Sequence, residues 1–224
     1  SALVLTLDLQ ILGQRHADIR NGLSIPLKIK LSNLFDLLSK PSWCYQMART
    51  KNRTFGNVMG HVKDITNLNS LTKWVQDQFD TRLNWDDVKR IKDWWGGKLI
   101  IKGIMDPDDA KMAQKCGADA LVVSNHGGRQ LDGVNSSIST LPEIKKAVSN
   151  MEVLMDGGIS SGQDILKAIA MGAEGVMIGR SFVYGLSAGG KEGVTKSLEI
   201  LNKELDMTMA LCGRRDIKDV GRDI

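Results

Sequence analysis

The stretch ALVVSNHGG, residues 120–128, joins a short apolar run to a polar tip that holds one histidine and two glycines. A short unbroken apolar run is typical of a strand buried on both faces, as in a parallel sheet. The segment LPEIKKAVSN, residues 141–150, then has the apolar spacing of a helix. Together these residues predict one βα unit whose strand ends in a functional loop.

The same order recurs on both sides of this unit. The other segments are LVLTLD (3–8), LIIKG (99–103), DPDDAKMAQKCGA (106–118), EVLMDGG (152–158), SGQDILKAIAMGA (161–173), GVMIGRS (175–181) and a long helix within 191–211. Apolar strands that alternate with amphipathic helices predict a parallel α/β fold. The pattern alone leaves two architectures open, a barrel and a doubly wound sheet.

The composition excludes several classes of protein. An apolar content of 42% and a charged content of 25% over 224 residues are ordinary for a globular protein. The net charge of +4 is too small to indicate a nucleic-acid partner. The three cysteines have no metal-binding spacing, so we expect a reducing compartment and neither a disulfide framework nor a metal site.

Charged residues follow the predicted strands where each strand ends. They are Asp8, Lys102, His126, Asp156 and Arg180. In either architecture the carboxyl ends of the strands form the face that carries an active site. A histidine there, with a carboxylate from another strand, can act as a general base. Taken singly, His126 could instead be a structural histidine that hydrogen-bonds within a turn.

Other residues near these tips suit an anionic substrate and a phosphorylated cofactor. Arg15 and Arg129 each present a planar fork that matches a carboxylate, although Arg15 could be a solvated loop residue. DGGISSG (156–162) and the tip IGR (178–180) can hold a phosphate through backbone N–H groups and a guanidinium. DGGISSG could also be only a turn.

The region of about residues 31–85 interrupts the pattern. Its 31–62 portion holds Trp43, Tyr45 and Phe55 together with Lys51 and Arg53. Aromatic residues beside cations are typical of a segment that touches a membrane surface. The alternative is an ordinary excursion that caps the barrel.

The stretch SNHGGRQLDG (124–133) resembles the signature of the FMN-dependent α-hydroxy-acid dehydrogenases and oxidases. The segments LTLDLQILGQRHADIRNG (5–22), IKGIMDPDDA (101–110), DGGISSGQDILKAIAMGA (156–173) and IGRSFVYGLSAGGKEGV (178–194) resemble that family in order and spacing. The region from residue 56 to 103 is most similar to the L-lactate dehydrogenase branch that passes electrons to the respiratory chain.

The resemblance implies a (β/α)₈ TIM barrel that binds FMN at its C-terminal face. Residues 1–224 would form the C-terminal part of one such domain, with an inserted segment at about 31–85. The chain begins at what resembles the family's fourth strand, so we expect a truncated barrel that lacks the first strands and their active-site tyrosines.

The resemblance also implies roles for individual residues. His126 and Asp8 match the catalytic base and its carboxylate partner, and Arg129 and Arg15 match the arginines that bind the substrate carboxylate. The positions that match FMN contacts are Thr6, Lys102, Ser124, Asp156, Gly158, Gly179 and Arg180. Ser160 stands where the family has an arginine at the phosphate, so Arg180 and backbone amides are expected to carry more of the phosphate charge.

The implied activity is oxidation of an L-2-hydroxy acid to the 2-oxo acid, with L-lactate to pyruvate favoured and quinone or cytochrome as acceptor. The alternatives are an oxidase that uses O₂, an inactive barrel fragment that binds anions or a partner chain, and an FMN-dependent isomerase. Hydride transfer and carbanion formation both remain open. The resemblance further implies a cytoplasmic protein in peripheral contact with the inner face of the cell membrane, as a homo-oligomer.

Overall fold

The structure, a computed structural model of the chain, describes residues 1–11, 13, 15–21, 31–51, 74–75 and 77–224. These residues form two compact units. Ser1–Gly13 and Thr81–Ile224 make up the barrel unit, and Gln14–Asp80 make up the helical unit. The barrel unit holds every strand that the described residues form.

From β2 onward, strands and helices alternate through the barrel unit, whereas α1, α2 and α3 belong to the helical unit. In chain order the described elements are β1 (Ala2–Thr6), α1 (His16–Arg20), α2 (Leu31–Leu38), α3 (Pro41–Arg49), α4 (Trp85–Trp95), β2 (Lys98–Ile104), α5 (Pro107–Lys115), β3 (Ala120–Val123), α6 (Ser137–Ala147), β4 (Glu152–Met155), α7 (Gly162–Ala170), β5 (Gly175–Val176) and α8 (Arg180–Leu211). Short 3₁₀ helices follow β3, at His126–Gly128, and α8, at Ile217–Asp219.

The sheet has five strands in the order β1-β2-β3-β4-β5, and each neighbouring pair is parallel. A doubly wound sheet reverses its strand order at a switch point, whereas this order follows the chain without reversal. The arrangement is therefore that of a (β/α) barrel. It confirms the five predicted strands and decides between the two architectures that the sequence left open.

The core lies between the sheet and the helices that follow its strands. Leu99, Ile101, Leu121, Val123 and Val153 have no measurable exposure to solvent. All of β3 is buried, because a parallel strand covered on both faces exposes neither side of its pleat. The unbroken apolar run ALVV predicted this burial.

Two helices begin earlier than the sequence predicted. α6 begins at Ser137 rather than Leu141, because Ser139 N donates to Ser136 O at 3.1 Å and forms a tight first turn before Pro142. α8 begins at Arg180 rather than at about residue 191, and it has non-helical backbone angles at Gly189 and Gly190. The predicted long helix is therefore the part of α8 after this kink.

The N-terminal ends of β2 and β3 are tied together by one carboxylate. Asp119 accepts hydrogen bonds from Lys92 Nζ at 2.6 Å, Lys98 Nζ at 2.8 Å and Leu99 N at 2.9 Å. These hydrogen bonds hold the pKa of Asp119 well below its usual range. The bonds from Lys92 and Lys98 have the largest effect, and the bond from the Leu99 amide has a smaller one. This cluster lies at the end of the sheet opposite the strand tips, so it is expected to affect stability.

Replacing Asp119 with asparagine is expected to lower the free energy of unfolding by about 1–2 kcal/mol at neutral pH, because charge-assisted hydrogen bonds are lost. A carboxylate whose pKa is depressed by folding stabilises the fold above its unfolded pKa of about 3.9, and this contribution is lost as the pH falls below that value. Urea titrations at neutral and acid pH measure both effects. Equal stability of the variant and the parent protein at neutral pH would contradict the assignment.

The helical unit presents an apolar face on α2. Leu31, Leu34, Phe35 and Leu38 follow helical spacing and are each between 53% and 78% exposed. On α3, Trp43 and Tyr45 are also exposed. The unit overlaps the insertion predicted at 31–85, whose place within a single domain stays a prediction, and Arg53 and Phe55 lie outside the described residues.

Candidate active site

Three adjacent strand ends bring Lys102, Ser124 and Asp156 together. Lys102 Nζ lies 2.5 Å from Asp156 Oδ2 and donates to Ser124 Oγ at 2.7 Å. Ser124 is fully buried, and its hydroxyl donates to Asp156 Oδ1 at 2.5 Å. The side chains of Lys102 and Asp156 are only 14% and 17% exposed, so each charge is stabilised mainly by this network. The strand ends therefore carry a preorganised ammonium group.

The loop after β3 turns sharply at the histidine. His126 has φ of 55°, which is rare for a residue other than glycine, and Gly127 and Gly128 continue the turn with φ of 66° and 71°. Asn125 Oδ1 accepts from Gly127 N at 3.0 Å, and His126 N donates to Ser124 Oγ at 3.1 Å. A strained residue held by such bonds is a common feature of functional sites.

The imidazole of His126 lies against Asp8 at the tip of β1. Its Nδ1 is 3.2 Å from each carboxylate oxygen of Asp8, and the two side chains are 27% and 16% exposed. A carboxylate beside Nδ1 favours the tautomer with the proton on that nitrogen, which leaves Nε2 with a free lone pair. The pair that the resemblance implied is therefore brought together in the structure.

Gly103 makes room for this carboxylate. A Cβ at residue 103 would lie 2.8 Å from Asp8 Cγ, and φ there is 100°. Only glycine combines that backbone angle with such a close approach. Gly103, the glycine of the LIIKG segment, therefore leaves space for the Asp8 carboxylate and also adopts the positive φ of the backbone at this position.

The two arginines predicted to bind the substrate carboxylate differ in what the structure describes. Arg129 directly follows the histidine turn, is exposed, and donates its backbone N–H to His126 O at 3.3 Å. Arg15 precedes α1 in the helical unit. Its role in binding the substrate carboxylate stays a prediction.

A cavity of about 530 Å³ opens beside the histidine turn. Its lining includes Gly127, Gly158, Asp164, Lys167 and Arg180. Arg180 extends toward the turn, since its Nη2 would lie 3.2 Å from a Cβ built on Gly127. Cations beside glycine-rich backbone favour phosphate, and the volume is in the usual range of about 300–1,000 Å³ for ligand sites. The residues present therefore fit the phosphate end of FMN.

The remaining predicted cofactor contacts lie at the same strand ends. Thr6 ends β1 and pairs in register with Lys102. Gly179 directly precedes α8, whose first residue is Arg180. The contacts of Thr6 and Gly179 with FMN stay predictions. Gly157, which was not singled out from the sequence, also lines the cavity, and a Cβ there would lie 2.9 Å from Asn125 Oδ1 at a φ of 91°.

Ser160 takes part in the start of α7. Its N and Oγ both donate to Asp164 Oδ2 at 3.0 Å, and Ser161 N and Oγ donate to the same oxygen at 3.0 and 2.9 Å. Burial raises the pKa of Asp164, but these hydrogen bonds together outweigh burial and lower it. Ser160 thus serves a helix cap and adds no positive charge to the cavity.

Two further polar residues were not singled out from the sequence. Lys167 lies on α7 one turn after Asp164, a spacing that could have pointed to the cavity that both residues line. Gln130 bonds to the loop after β1, and the sequence gives no signal for that contact. Within the described part of the chain, no group of three His, Cys, Asp or Glu side chains could hold a metal ion.

Comparison with known proteins relates the whole chain to one family. The model of FMN-dependent dehydrogenases matches residues 1–224. The L-lactate dehydrogenase of Allorhizobium ampelinum is 43% identical over 223 residues, which are 99% of this chain and 59% of that protein. The L-lactate dehydrogenase of Actinobacillus pleuropneumoniae is 41% identical over 225 residues, which are 100% of this chain and 59% of that protein.

Solved structures give the same relationship. The monotopic membrane protein (S)-mandelate dehydrogenase superposes with a TM-score of 0.93 at 34% identity, over 99% of this chain and 59% of that one. A mandelate oxidase gives a TM-score of 0.72 at 32% identity, over 98% of this chain and 54% of that one. The chain thus spans 59% of the length of the curated relatives named above. The order of the parallel strands and the His126–Asp8 pair agree with the match to the family model. The chain belongs to the FMN-dependent dehydrogenases.

Proposed function

We propose that the protein to which this chain belongs oxidises an L-2-hydroxy acid to the 2-oxo acid, with L-lactate as the favoured substrate. The observation that carries this proposal is the contact between His126 Nδ1 and the carboxylate of Asp8, beside the Lys102 network. The named L-lactate dehydrogenase relatives support the choice of substrate.

The reaction removes two electrons and two protons from the hydroxyl-bearing carbon and its oxygen. FMN, when bound, would accept both electrons and one of the two protons, and would so gain one negative charge. His126 Nε2 accepts the other proton from the substrate as a general base. Asp8 keeps the proton on Nδ1 before this transfer and stabilises the imidazolium after it.

Arg129 and Arg15 are proposed to bind the substrate carboxylate. A guanidinium can form two parallel hydrogen bonds to a carboxylate, which fixes the orientation of the neighbouring carbon. Because Arg129 is three positions from His126 in the same turn, it can hold the carboxylate while the imidazole works on the adjacent carbon. The isomerase alternative needs no such pair.

Lys102 is proposed to stabilise the negative charge of the reduced cofactor. Its ammonium has three N–H donors, of which two are directed at Ser124 and Asp156. One donor is left for a ligand above the strand ends. Fixing the group in advance makes it effective, because little reorganisation is then needed when charge develops.

The electron acceptor separates the dehydrogenase from the oxidase. We propose a quinone or cytochrome, as the resemblance to the respiratory branch implies. Turnover of L-lactate is measured with a short-chain quinone and, in parallel, as O₂ consumption. Fast quinone reduction with slow O₂ uptake is expected. Rapid O₂ uptake would favour the oxidase, and a protein purified without flavin colour would favour the inactive fragment.

Arg180 is expected to supply more of the positive charge at the phosphate, because Ser160 supplies none. Replacing Arg180 with methionine should weaken FMN binding about ten- to a hundredfold, because one or more charge-assisted hydrogen bonds to the phosphate are lost. Riboflavin, which lacks the phosphate, should bind both proteins alike. Flavin fluorescence titrations of the apoprotein measure both affinities. An equal loss for FMN and riboflavin would refute a phosphate role.

We also propose that α2 makes peripheral contact with membranes. Its exposed face of Leu31, Leu34, Phe35 and Leu38 suits insertion into the lipid interface, and one structural relative is a monotopic membrane protein. Within the described residues no helix is long and apolar enough to cross a bilayer.

Cosedimentation with anionic phospholipid vesicles tests the contact. The double change of Phe35→Ser and Leu38→Ser should abolish sedimentation, because it removes much of the apolar face of α2. Leu198→Ser, which also removes an exposed leucine, should not. Equal sedimentation of both variants would rule out α2 as the contact. Cytoplasmic location and homo-oligomer formation stay predictions.

A further inference from the structure

The segment after β1 is joined to the histidine turn by one side chain. Gln130 Nε2 donates to the backbone carbonyls of Asp8 and Ile11, each at 2.9 Å. These partners lie 122 and 119 positions away along the chain. The bonds therefore connect two loops from different strands, and Asp8 belongs to one while His126 belongs to the other.

The orientation of this amide is fixed by its partners. Both neighbours are carbonyl oxygens, so only the NH₂ group, with its two hydrogens, can satisfy them. The reversed amide would place Oε1 against two acceptors. Gln130 is half-buried, which limits the access of water that could replace these bonds.

Other contacts hold the same two loops close together. A Cβ on Gly13 would lie 2.5 Å from Arg129 O and 2.8 Å from Gln130 Cα. Leu7 N donates to Lys102 O at 2.9 Å, which fixes the backbone just before Asp8. The backbone just after Asp8 is fixed by Gln130. Asp8 is thus held on both sides, and the carbonyl held by Gln130 belongs to the residue whose carboxylate contacts His126.

We propose that Gln130 is a positioning residue for the His126–Asp8 pair. Its carboxamide fixes the segment from Asp8 to Ile11, so that the Asp8 carboxylate stays on Nδ1 of His126 and Nε2 keeps its lone pair. The kinetic part of this inference rests on the proposed function. Its structural part, the contact between Asp8 and the imidazole, does not.

Three variants separate this role from a general effect on folding. Gln130→Met keeps the length of the side chain but has no donor, and Gln130→Lys keeps N–H donors. Gln114→Met is the matched control, because Gln114 Nε2 also donates to a backbone carbonyl, that of Ser149, outside the site. Proton NMR of the ring N–H of His126, assigned by its loss in His126→Gln, reports the contact with Asp8 directly.

In Gln130→Met, kcat for L-lactate should fall about ten- to a hundredfold, because small misplacements of catalytic groups are costly. KM should change much less, and the ring N–H signal should weaken. Gln130→Lys should recover part of kcat and part of the ring N–H signal of His126. If kcat and the ring N–H signal of Gln130→Met equal those of Gln114→Met, the proposal is overturned.

Two outcomes need separate measurements. If Gln130→Met does not fold, Gln130→Asn replaces it: this variant keeps the amide on a shorter side chain, and kcat and the ring signal equal to those of Gln114→Met again overturn the proposal. If the parent protein oxidises no L-2-hydroxy acid, the proposed function fails. The ring N–H signal of the Gln130 variants then still decides the positioning role.

Discussion

Replacing His126 with glutamine is expected to lower kcat for L-2-hydroxy-acid oxidation by about a hundred- to ten-thousandfold, the usual contribution of a general base. Glutamine is similar in size and keeps polar atoms, but it cannot accept the substrate proton. Stopped-flow measurement of flavin reduction isolates this step, because it does not depend on the electron acceptor. The loss should appear in the reduction rate rather than in the affinity for FMN.

The Asp8→Asn variant provides the matching measurement. An amide cannot stabilise the imidazolium as a carboxylate does, so this change should also slow flavin reduction. Because both residues act on one proton, the double variant should be little slower than His126→Gln alone. Multiplicative losses would show that the two side chains act independently, and a His126→Gln variant that keeps most of its activity would refute the assigned base.

Replacing Lys102 with methionine is expected to lower the free energy of unfolding by about 3 kcal/mol, because it leaves the carboxylate of Asp156 largely buried and without its cation. Ser124 remains as the only observed partner of that carboxylate within the described side chains. Denaturant titration measures the loss. Flavin reduction should slow as well, since the ammonium proposed to face the reduced cofactor is removed.

Lys98→Met is the matched control for this change. Lys98 Nζ lies 2.8 Å from Asp119 Oδ1, but its side chain is 74% exposed, so water can replace the ammonium and the loss should be small. The double change of Lys102→Met and Asp156→Asn should be more stable than Lys102→Met alone, because it removes the unpaired charge. Equal losses in the Lys98 and Lys102 variants would contradict a buried network.

The strand ends could be predicted from the sequence because their geometry follows from the fold class. Short apolar runs define parallel strands, and parallel strands place their carboxyl ends along one edge of the sheet. Lys102, Ser124 and Asp156 follow three such runs, and they meet in the structure. The contact of Asp8 with His126 was implied by the family resemblance, and these two residues lie together in the structure.

Loop contacts could not be predicted in the same way. The carbonyls that Gln130 binds depend on the path of the loop after β1, which no periodicity encodes. The use of Ser160 in the cap of α7 was also missed, although the spacing of Ser161 and Asp164 is that of a helix cap. The early start of α6 depends on a tight first turn before Pro142. Because proline is common in the first turn of a helix, Pro142 placed the predicted start at Leu141.

Anaerobic mixing of the purified protein with L-lactate tests the proposed hydroxy-acid oxidation. We expect the visible absorption of the oxidised flavin to bleach with L-lactate, to return on addition of a quinone, and not to bleach with D-lactate. A folded, flavin-containing protein whose absorption is unchanged by L-lactate and by other L-2-hydroxy acids would contradict it.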